Sequence, residues 1–171
     1  NTDTIKTGVI GAGLFGKALL LPALKKNRDF FLKTLVTSSG ANSEHNSRKF
    51  GFEIHVGNQA DPNFWSKFHK KVGKFDILLD DGGHLDIQQA TTLFENIDYI
   101  NDGGLIVIED THSSYLKKFG NPSNKSFMNL VFNLTNKLNY RSGVLKQHNK
   151  KCLKHPISQI RIFEPICAFK I

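Results

Sequence analysis

Two acidic clusters contain the residues of this chain that are best suited to chemistry. The first is Asp80-Asp81-Gly82-Gly83-His84 and the second is Glu109-Asp110, and each directly follows an apolar run typical of a buried strand. In an open α/β sheet, ligands bind at the edge formed by the carboxyl ends of the parallel strands. The sequence therefore predicts that several carboxylates and one imidazole share a crevice at that edge.

Carboxylates crowded in this way repel one another unless a cation neutralises them. A hard cation such as Mg²⁺ fits best, because the candidate ligands are oxygens and no thiol lies near them. Gly82 and Gly83 allow a sharp turn that would bring His84 back over the site. Alternatively, Asp80 caps the following helix and Glu109-Asp110 is only a polar strand end. The combination of all these residues at two strand ends favours a functional site.

A glycine-rich loop, Gly11-x-Gly13-x-x-Gly16 with Phe15 inside it, follows the first strand-like segment and opens a helix-like one. In that context the motif predicts a loop whose backbone N–H groups bind a nucleotide or dinucleotide cofactor. A tight turn without a ligand is the alternative. The acid that usually holds ribose hydroxyls at the end of the second strand is missing, since 37–40 reads Thr-Ser-Ser-Gly.

Short β-like runs alternate with helix-length stretches, which predicts a mostly parallel sheet. Strands are predicted at 5–10, 31–37, 53–56, 75–80, 104–109, 157–163 and 166–171. Helices are predicted at 14–27, 43–50, 62–71, 85–99 and 125–140. We expect an α/β fold, a three-layer, Rossmann-like, doubly wound sheet in the order 3-2-1-4-5, with an antiparallel pair formed by the last two strands.

Length and composition favour one soluble globular domain over residues 1–171, because the chain has 39% hydrophobic and 22% charged residues. No run is long enough to span a membrane and no signal peptide is evident, so we expect a cytoplasmic protein without a membrane partner. Residues 1–110 hold 12 basic and 14 acidic side chains, whereas residues 111–171 hold 11 basic side chains and one acid. We interpret the basic third as a solvated face and expect no nucleic-acid partner.

The acidic clusters also support a resemblance that covers about residues 55–171. Its motifs are Asn58-Gln-Ala-Asp61, the run 75–84 that ends in Asp-Asp-Gly-Gly-His, the run 102–110 that ends in Glu-Asp, and 157–163. This part resembles the metal-dependent macrolide-sugar O-methyltransferases, which are class I S-adenosylmethionine (SAM) enzymes, and the related cephalosporin hydroxylase-like proteins.

The resemblance implies roles for individual residues. Asp81, Glu109 and Asp110 would hold Mg²⁺, and His84 would serve as the general base, with Asp81 also counted as catalytic. The methyl donor would bind to the glycine loop and to the residues after the third strand, a set comprising Gly11, Gly13, Phe15, Gly16, Asn58 and Gln59. The family usually has an acid where Asn58 stands.

The first part of the chain resembles a different family. Residues 7–25, with Thr37-Ser-Ser-Gly40 and Lys49-Phe-Gly-Phe52, are similar to the opening of the Gfo/Idh/MocA oxidoreductases, which bind NAD(P) through such a loop. The two resemblances meet near residues 52–58. We interpret the chain as two Rossmann halves, 1–55 and 56–171, joined at the third strand.

The function predicted from the sequence is SAM-dependent, Mg²⁺-assisted O-methyl transfer to a hydroxyl of a small sugar or polyol, by a protein that can form a homo-oligomer. One alternative is an NAD(P)-binding oxidoreductase-like fragment, favoured by the glycine loop. The other is a catalytically inactive nucleotide-binding module, favoured by the missing ribose-binding acid.

Overall fold

A seven-stranded sheet organises the chain in the computed structural model, which describes residues 4–11, 13, 16–38, 52–119, 124–141 and 154–171. The strands are β1 Ile5–Ile10, β2 Phe30–Thr37, β3 Glu53–Val56, β4 Phe75–Asp80, β5 Ile100–Ile108, β6 Gln159–Phe163 and β7 Ile166–Lys170. Their order across the sheet is β3-β2-β1-β4-β5-β7-β6. Strands β1 to β5 pair in parallel, and β7 pairs antiparallel with β5 and β6. The predicted fold class and strand order are confirmed.

Four α-helices accompany the sheet in the described ranges. They are α1 Leu21–Lys26, which continues a π-helical turn Gly16–Leu20, α2 Pro62–Val72, α3 Asp86–Asn96 and α4 Phe127–Asn139. Short 3₁₀ turns at Ile97–Tyr99, Thr111–Tyr115 and Lys117–Phe119 complete the connections. The predicted helices at 62–71, 85–99 and 125–140 are confirmed with small shifts at their ends.

Local side chains explain where these helices begin and end. Asp61 caps α2 by accepting a hydrogen bond from the backbone N–H of Asn63 at 2.9 Å, and Pro62 supplies a preset φ in the first turn. Helix α2 ends at Gly73, whose φ of 70° suits a residue without Cβ. Ser126 caps α4 by accepting from the N–H of Asn129 at 3.3 Å.

Hydrophobic residues cover both faces of the sheet. Neighbouring residues of a strand point to opposite faces, and Val9 and Ile10 accordingly belong to different core clusters. One cluster contains Leu21 and Leu24 of α1. The other cluster is larger and takes in residues of α2, α3 and α4, among them the fully buried Trp65. The sheet is thus a middle layer between helices, as the predicted three-layer arrangement requires.

The two parts of the chain that resemble different families share this sheet. Strand β1 pairs with β4 in parallel register, from Thr7 opposite Ile77 to Ile10 opposite Asp80. Strand β3, where the resemblances meet, pairs with β2 over its whole length. The hydrogen-bonded sheet therefore continues across the predicted junction, while the division into halves 1–55 and 56–171 stays a prediction.

Strand β5 is the element whose start differs most from the prediction. We expected it at residue 104, because the glycines at 103 and 104 look like a break, but it begins at Ile100. The strand absorbs the glycines in an irregularity: Phe75 lies opposite Ile100, whereas Ile77 lies opposite Leu105. Gly103 adopts a φ of 82° there, a conformation open to glycine.

Some predictions concern residues outside the described ranges. These are the helix at 43–50, the residues Ser39 and Gly40, and Phe15 of the glycine loop. In the part of the chain that is described, every helix is too short or too polar to cross a lipid bilayer. The predicted cytoplasmic location stays a prediction.

His69 on α2 gives the fold a pH dependence. Its side chain lies buried between α2 and α3, where Nε2 is 3.0 Å from the Glu95 carbonyl oxygen and the ring stacks on Tyr99 at 3.5 Å. Burial lowers the pKa of His69 to about 4. Because the unfolded chain takes up the proton near pH 6.5, this stabilisation is complete above that pH and is lost as the pH falls toward 4. We expect lowering the pH from 7.5 to 5 to cost wild type about 2 kcal/mol through this residue.

The substitution His69→Phe isolates that contribution, because it keeps an aromatic ring against Tyr99 and removes the titrating group. The free energy of unfolding, measured by urea denaturation at both pH values, should fall by about 2 kcal/mol less in the variant than in wild type. Equal losses in the two proteins would mean that His69 is protonated as easily in the fold as in the unfolded chain.

Candidate active site

The loops that follow β1, β4 and β5 meet at the carboxyl edge of the sheet. After β4, the N–H of Asp81 donates to the Ile10 carbonyl at 2.9 Å. After β5, the N–H of Glu109 donates to the Asp80 carbonyl at 2.9 Å. The Asp80–His84 segment is therefore held between the glycine loop on one side and Glu109-Asp110 on the other, as the sequence predicts for parallel strands.

Gly11 makes the contact between the glycine loop and the acidic segment. It has a φ of 92°, and its N–H donates to the Val36 carbonyl at 2.9 Å. A Cβ at this position would lie 1.9 Å from the backbone oxygen of Asp81, so no larger residue fits. A Cβ on Gly16 would lie 3.4 Å from Oδ2 of Asp81. The loop that was predicted to bind a cofactor thus lies directly against the predicted metal ligand Asp81.

Asp81 and Glu109 form a pair of neighbouring carboxyl groups. Partial burial, the charge of Asp81 and the hydrogen bond between the two side chains raise the pKa of Glu109 to about 7. The pKa of Asp81 is also raised, chiefly by burial, although the hydrogen bond from Glu109 favours its charged form. Both shifts indicate that two negative charges on this pair are unfavourable without a compensating cation.

Asp110 and His84 complete the site. Oδ2 of Asp110 lies 3.4 Å from Nε2 of His84, and Oδ1 lies 3.7 Å from Nδ1 of His112. Asp110 has a left-handed φ of 54°, which directs the chain into the 3₁₀ turn that follows. The edge of Phe119 faces the His84 ring at 6.2 Å between centroids. The side chain of His84 remains 27% exposed, so a solute can reach the imidazole.

Asp80 lies beneath the site and does not face it. It is 3% exposed, and burial raises its pKa to about 7 against the opposing effect of its hydrogen bonds. Its Oδ1 accepts from the N–H of Gly82 at 3.0 Å and its Oδ2 accepts from Nε2 of Gln59 at 2.7 Å. The alternative in which Asp80 caps the next helix is wrong, since Leu85 is the N-cap of α3.

The residues present fit a hard divalent cation by their chemistry. All three proposed ligands offer carboxylate oxygens, and Oδ2 of Asp81 is buried without a hydrogen-bond partner. Within the described ranges, no three His, Cys, Asp or Glu side chains already surround a common point as metal ligands do. Negative charges this close together repel one another, and a cation bound by these oxygens would neutralise them.

Of the ten residues predicted for the site, nine lie in the described ranges, and the structure brings six of them together. These are Gly11, Gly16, Asp81, His84, Glu109 and Asp110. The remaining three differ. Gly13 is exposed with no neighbour near its Cβ position, and Asn58 is exposed and accepts a turn hydrogen bond from the N–H of Ala60 at 3.0 Å. Gln59 is buried beneath the site. A tenth predicted residue, Phe15, lies outside the described ranges.

Asp86 also supports the site, and the sequence analysis did not identify it. Asp86 in the first turn of α3 accepts from Oγ of Ser114 at 3.2 Å and from the N–H of Phe127 at 2.7 Å. These bonds tie the segment after His84 to the turn after Asp110 and to the start of α4. An acid two residues after His84, in the first turn of a predicted helix, was the signal available in the sequence.

Comparison with known proteins supports the predicted resemblance of residues 55–171. No family model matches the chain. The L-olivosyl-oleandolide 3-O-methyltransferase of Streptomyces antibioticus is 29% identical over 118 residues, which are 67% of this chain and 31% of that protein. The demethylmacrocin O-methyltransferase of Streptomyces fradiae is 29% identical over 101 residues, 59% of this chain and 26% of that protein. The chain is similar to macrolide-sugar O-methyltransferases and spans about a third or less of their length.

A solved structure matches the fold. MycE methyltransferase from the mycinamycin biosynthetic pathway, determined in complex with Mg, SAH and mycinamycin VI, superposes with a TM-score of 0.78 at 19% identity. The match covers 98% of this chain and 45% of that one. It includes both parts of the chain, so a single known fold accommodates the segment that resembles oxidoreductases as well.

Proposed function

We propose that this chain transfers a methyl group from S-adenosylmethionine to a hydroxyl of a sugar or similar polyol, with the assistance of Mg²⁺. The observation that carries the proposal is the convergence of Asp81, His84, Glu109 and Asp110 at the carboxyl edge of the sheet, beside the glycine loop. The sugar O-methyltransferases among its relatives support the reaction class. The Mg and SAH bound to MycE support the choice of cation and of methyl donor.

In this proposal the acids and the imidazole have separate tasks. Asp81, Glu109 and Asp110 hold the cation through oxygen ligands. When bound there, Mg²⁺ would lower the pKa of an acceptor hydroxyl that contacts it. His84 takes the proton of that hydroxyl as the O–CH₃ bond forms and the S–CH₃ bond of the donor breaks. The loops at the carboxyl edge of the sheet would orient the donor and the acceptor, which removes much of the entropic cost of bringing them together.

The donor is proposed to lie against the glycine loop, where Gly11 and Gly16 border Asp81. Gly13, whose Cβ position is open, leaves room for a ligand to approach the backbone. Phe15 and Asn58 stay in the proposed donor site as predictions. Direct contact of Gln59 with the donor also stays a prediction, although its amide is buried beneath the site.

Binding measurements test the proposal. S-adenosylmethionine and NADPH would each be titrated calorimetrically into the purified protein, with and without Mg²⁺. We expect S-adenosylmethionine to bind and NADPH not to bind, and methyl transfer to a panel of deoxysugar acceptors to require Mg²⁺. NADPH binding without binding of the methyl donor would overturn the proposal.

Removal of one proposed ligand should weaken binding of the cation. We expect Asp81→Asn to lower the affinity for Mg²⁺ by more than about 100-fold, since loss of a direct ligand exceeds the effect of losing an outer contact. The neutral amide also removes the charge that raises the pKa of Glu109. Calorimetric titration of Mg²⁺ measures the change.

The matched control is Asp102→Asn, the same chemical change at an exposed acid near the start of β5. It should leave Mg²⁺ affinity within about twofold of wild type. Equal affinities of Asp81→Asn and wild type would exclude Asp81 as a ligand.

One second function is favoured by a specific observation. The tight turn at Gly11, with its positive φ between β1 and the following helix, is also the geometry of a dinucleotide-binding loop. An NAD(P)-binding oxidoreductase-like fragment has no need for the acids at 81, 109 and 110. The calorimetric comparison of the two cofactors separates the two functions, and binding of neither would favour an inactive module. A homo-oligomeric state stays a prediction that sedimentation can test.

A further inference from the structure

We propose that Gln59 is a positioning residue that holds the Gly82–Gly83 backbone and thereby presents His84. The proposal rests on the proposed function, because it assumes that His84 acts on the acceptor. It assigns Gln59 a task within the protein in place of the predicted contact with the cofactor.

The amide of Gln59 is fully engaged inside the protein. Its Nε2 donates to Oδ2 of Asp80 at 2.7 Å and to Oγ1 of Thr92 at 2.8 Å. Its Oε1 accepts from the backbone N–H of Gly83 at 2.8 Å. These bonds use both N–H groups of the amide, and the side chain is 5% exposed. The amide has no donor left for a cofactor.

The segment before His84 lies directly on this amide. Two consecutive backbone N–H groups of this segment donate to buried side chains. Gly82 N–H donates to Oδ1 of Asp80, and Gly83 N–H donates to Oε1 of Gln59. A Cβ on Gly82 would lie 2.6 Å from Oε1 of Gln59, so only glycine permits the approach. The path of the backbone into His84 is therefore defined from below by the pair Gln59 and Asp80.

Gln59 is itself held by the core. The backbone carbonyl oxygen of Gln59 accepts a hydrogen bond from Nε1 of Trp65 at 2.8 Å, and Trp65 is fully buried on α2. Its partner Thr92 is fully buried on α3. Through its backbone carbonyl and its side-chain amide, Gln59 thus connects the loop after β3, the end of β4 and two helices. A buried network with all donors paired is rigid.

The test replaces Gln59 with Glu, which is nearly isosteric. The new carboxyl group has no N–H to donate to Oδ2 of Asp80 or to Oγ1 of Thr92. It can contact Asp80 only by taking up a proton, and without that proton the two carboxylates repel each other. We expect kcat for methyl transfer to fall about tenfold or more while KM for the methyl donor stays within about twofold. We also expect the Gly83 amide to exchange with solvent at least about fivefold faster in NMR hydrogen-exchange measurements.

The matched control is Asn101→Asp. Asn101 donates through Nδ2 to Oδ1 of Asp76 at 2.7 Å, which is an equivalent amide–carboxylate pair at the other end of β4. This variant should lose stability through the same chemistry, with kcat and Gly83 exchange unchanged. If Gln59→Glu does not fold, Gln59→Met removes the hydrogen bonds without adding charge and serves as the second variant.

The double variant Gln59→Glu/Asp80→Asn should restore the network, because the amide and the carboxylate exchange places and the total charge is kept. Recovery of slow Gly83 exchange and of kcat would support the positioning role. A loss of donor affinity with unchanged kcat in Gln59→Glu would instead show that Gln59 binds the cofactor. If wild type transfers no methyl group, the proposed function fails, and Gly83 exchange still decides: unchanged exchange in Gln59→Glu overturns the positioning role.

Discussion

The variant His84→Ala should bind S-adenosylmethionine and Mg²⁺ like wild type and transfer methyl groups about 10²- to 10⁴-fold more slowly, the usual contribution of a general base. The imidazole is the described nitrogen base nearest to the three acids, at 3.4 Å from Oδ2 of Asp110. An imidazole is the side chain best suited to take a proton near neutrality. Single-turnover rates with saturating donor and acceptor measure the chemical step itself.

His112→Ala is the matched control, since His112 also lies near Asp110, at 3.7 Å from Oδ1. The side chain of His112 is 54% exposed, against 27% for His84. His112 belongs to the 3₁₀ turn after Asp110 and not to the loop that the buried amide of Gln59 holds. We expect its rate to stay within about threefold of wild type. A large loss in His112→Ala alone would move the base from His84 to His112, and comparable losses in both variants would contradict a role as base that belongs to His84 alone.

Gly11→Ala should have the largest effect on folding. A Cβ would penetrate the backbone of Asp81, with its oxygen at 1.9 Å, and the φ of 92° is strained for any residue with a side chain. The β4 loop cannot retreat easily, because Asp81 is hydrogen-bonded to Ile10. We expect a loss of at least about 3 kcal/mol of unfolding free energy, or failure to accumulate as folded protein. Urea denaturation followed by tryptophan fluorescence measures it.

Gly13→Ala provides the comparison within the same motif. A Cβ at Gly13 meets nothing within 4 Å, so its stability should stay within about 0.5 kcal/mol of wild type. Because the site for the methyl donor is proposed here, Gly13→Ala should weaken donor binding without unfolding the protein. Equal stability of Gly11→Ala and wild type would contradict the described contact between the glycine loop and Asp81.

Strand positions could be predicted where an apolar run in the sequence has clear polar boundaries. The run at β4 is apolar and ends in acids, and its predicted bounds coincide with Phe75–Asp80. The helix predicted at 125–140 is also present, and Ser126, near its predicted start, is the N-cap. The start of β5 could not be predicted, because two adjacent glycines in a sequence indicate a turn. Only the pairing with β4 shows that they form an irregularity within the strand.

The candidate site shows the same division. Its composition follows from the rule that parallel strands end at one edge, which brought Asp81, Glu109 and Asp110 into one prediction. The inward orientation of Gln59 could not be predicted, because its partners Asp80 and Thr92 lie 21 and 33 residues away. The left-handed backbone of Asp110, with a φ of 54°, could not be predicted either, because no glycine or other turn signal in the sequence marks that position.

The position of β1 in the middle of the sheet has a consequence for synthesis on the ribosome. Lys6 pairs with Phe31, 25 residues later, whereas Thr7 pairs with Ile77, 70 residues later. A nascent chain can therefore satisfy one side of β1 early, while the other side keeps unpaired backbone groups beside Val9 and Ile10 until β4 emerges. At about 5 to 20 residues per second this open edge lasts for seconds, long enough for a chaperone to bind it or for two nascent chains to aggregate.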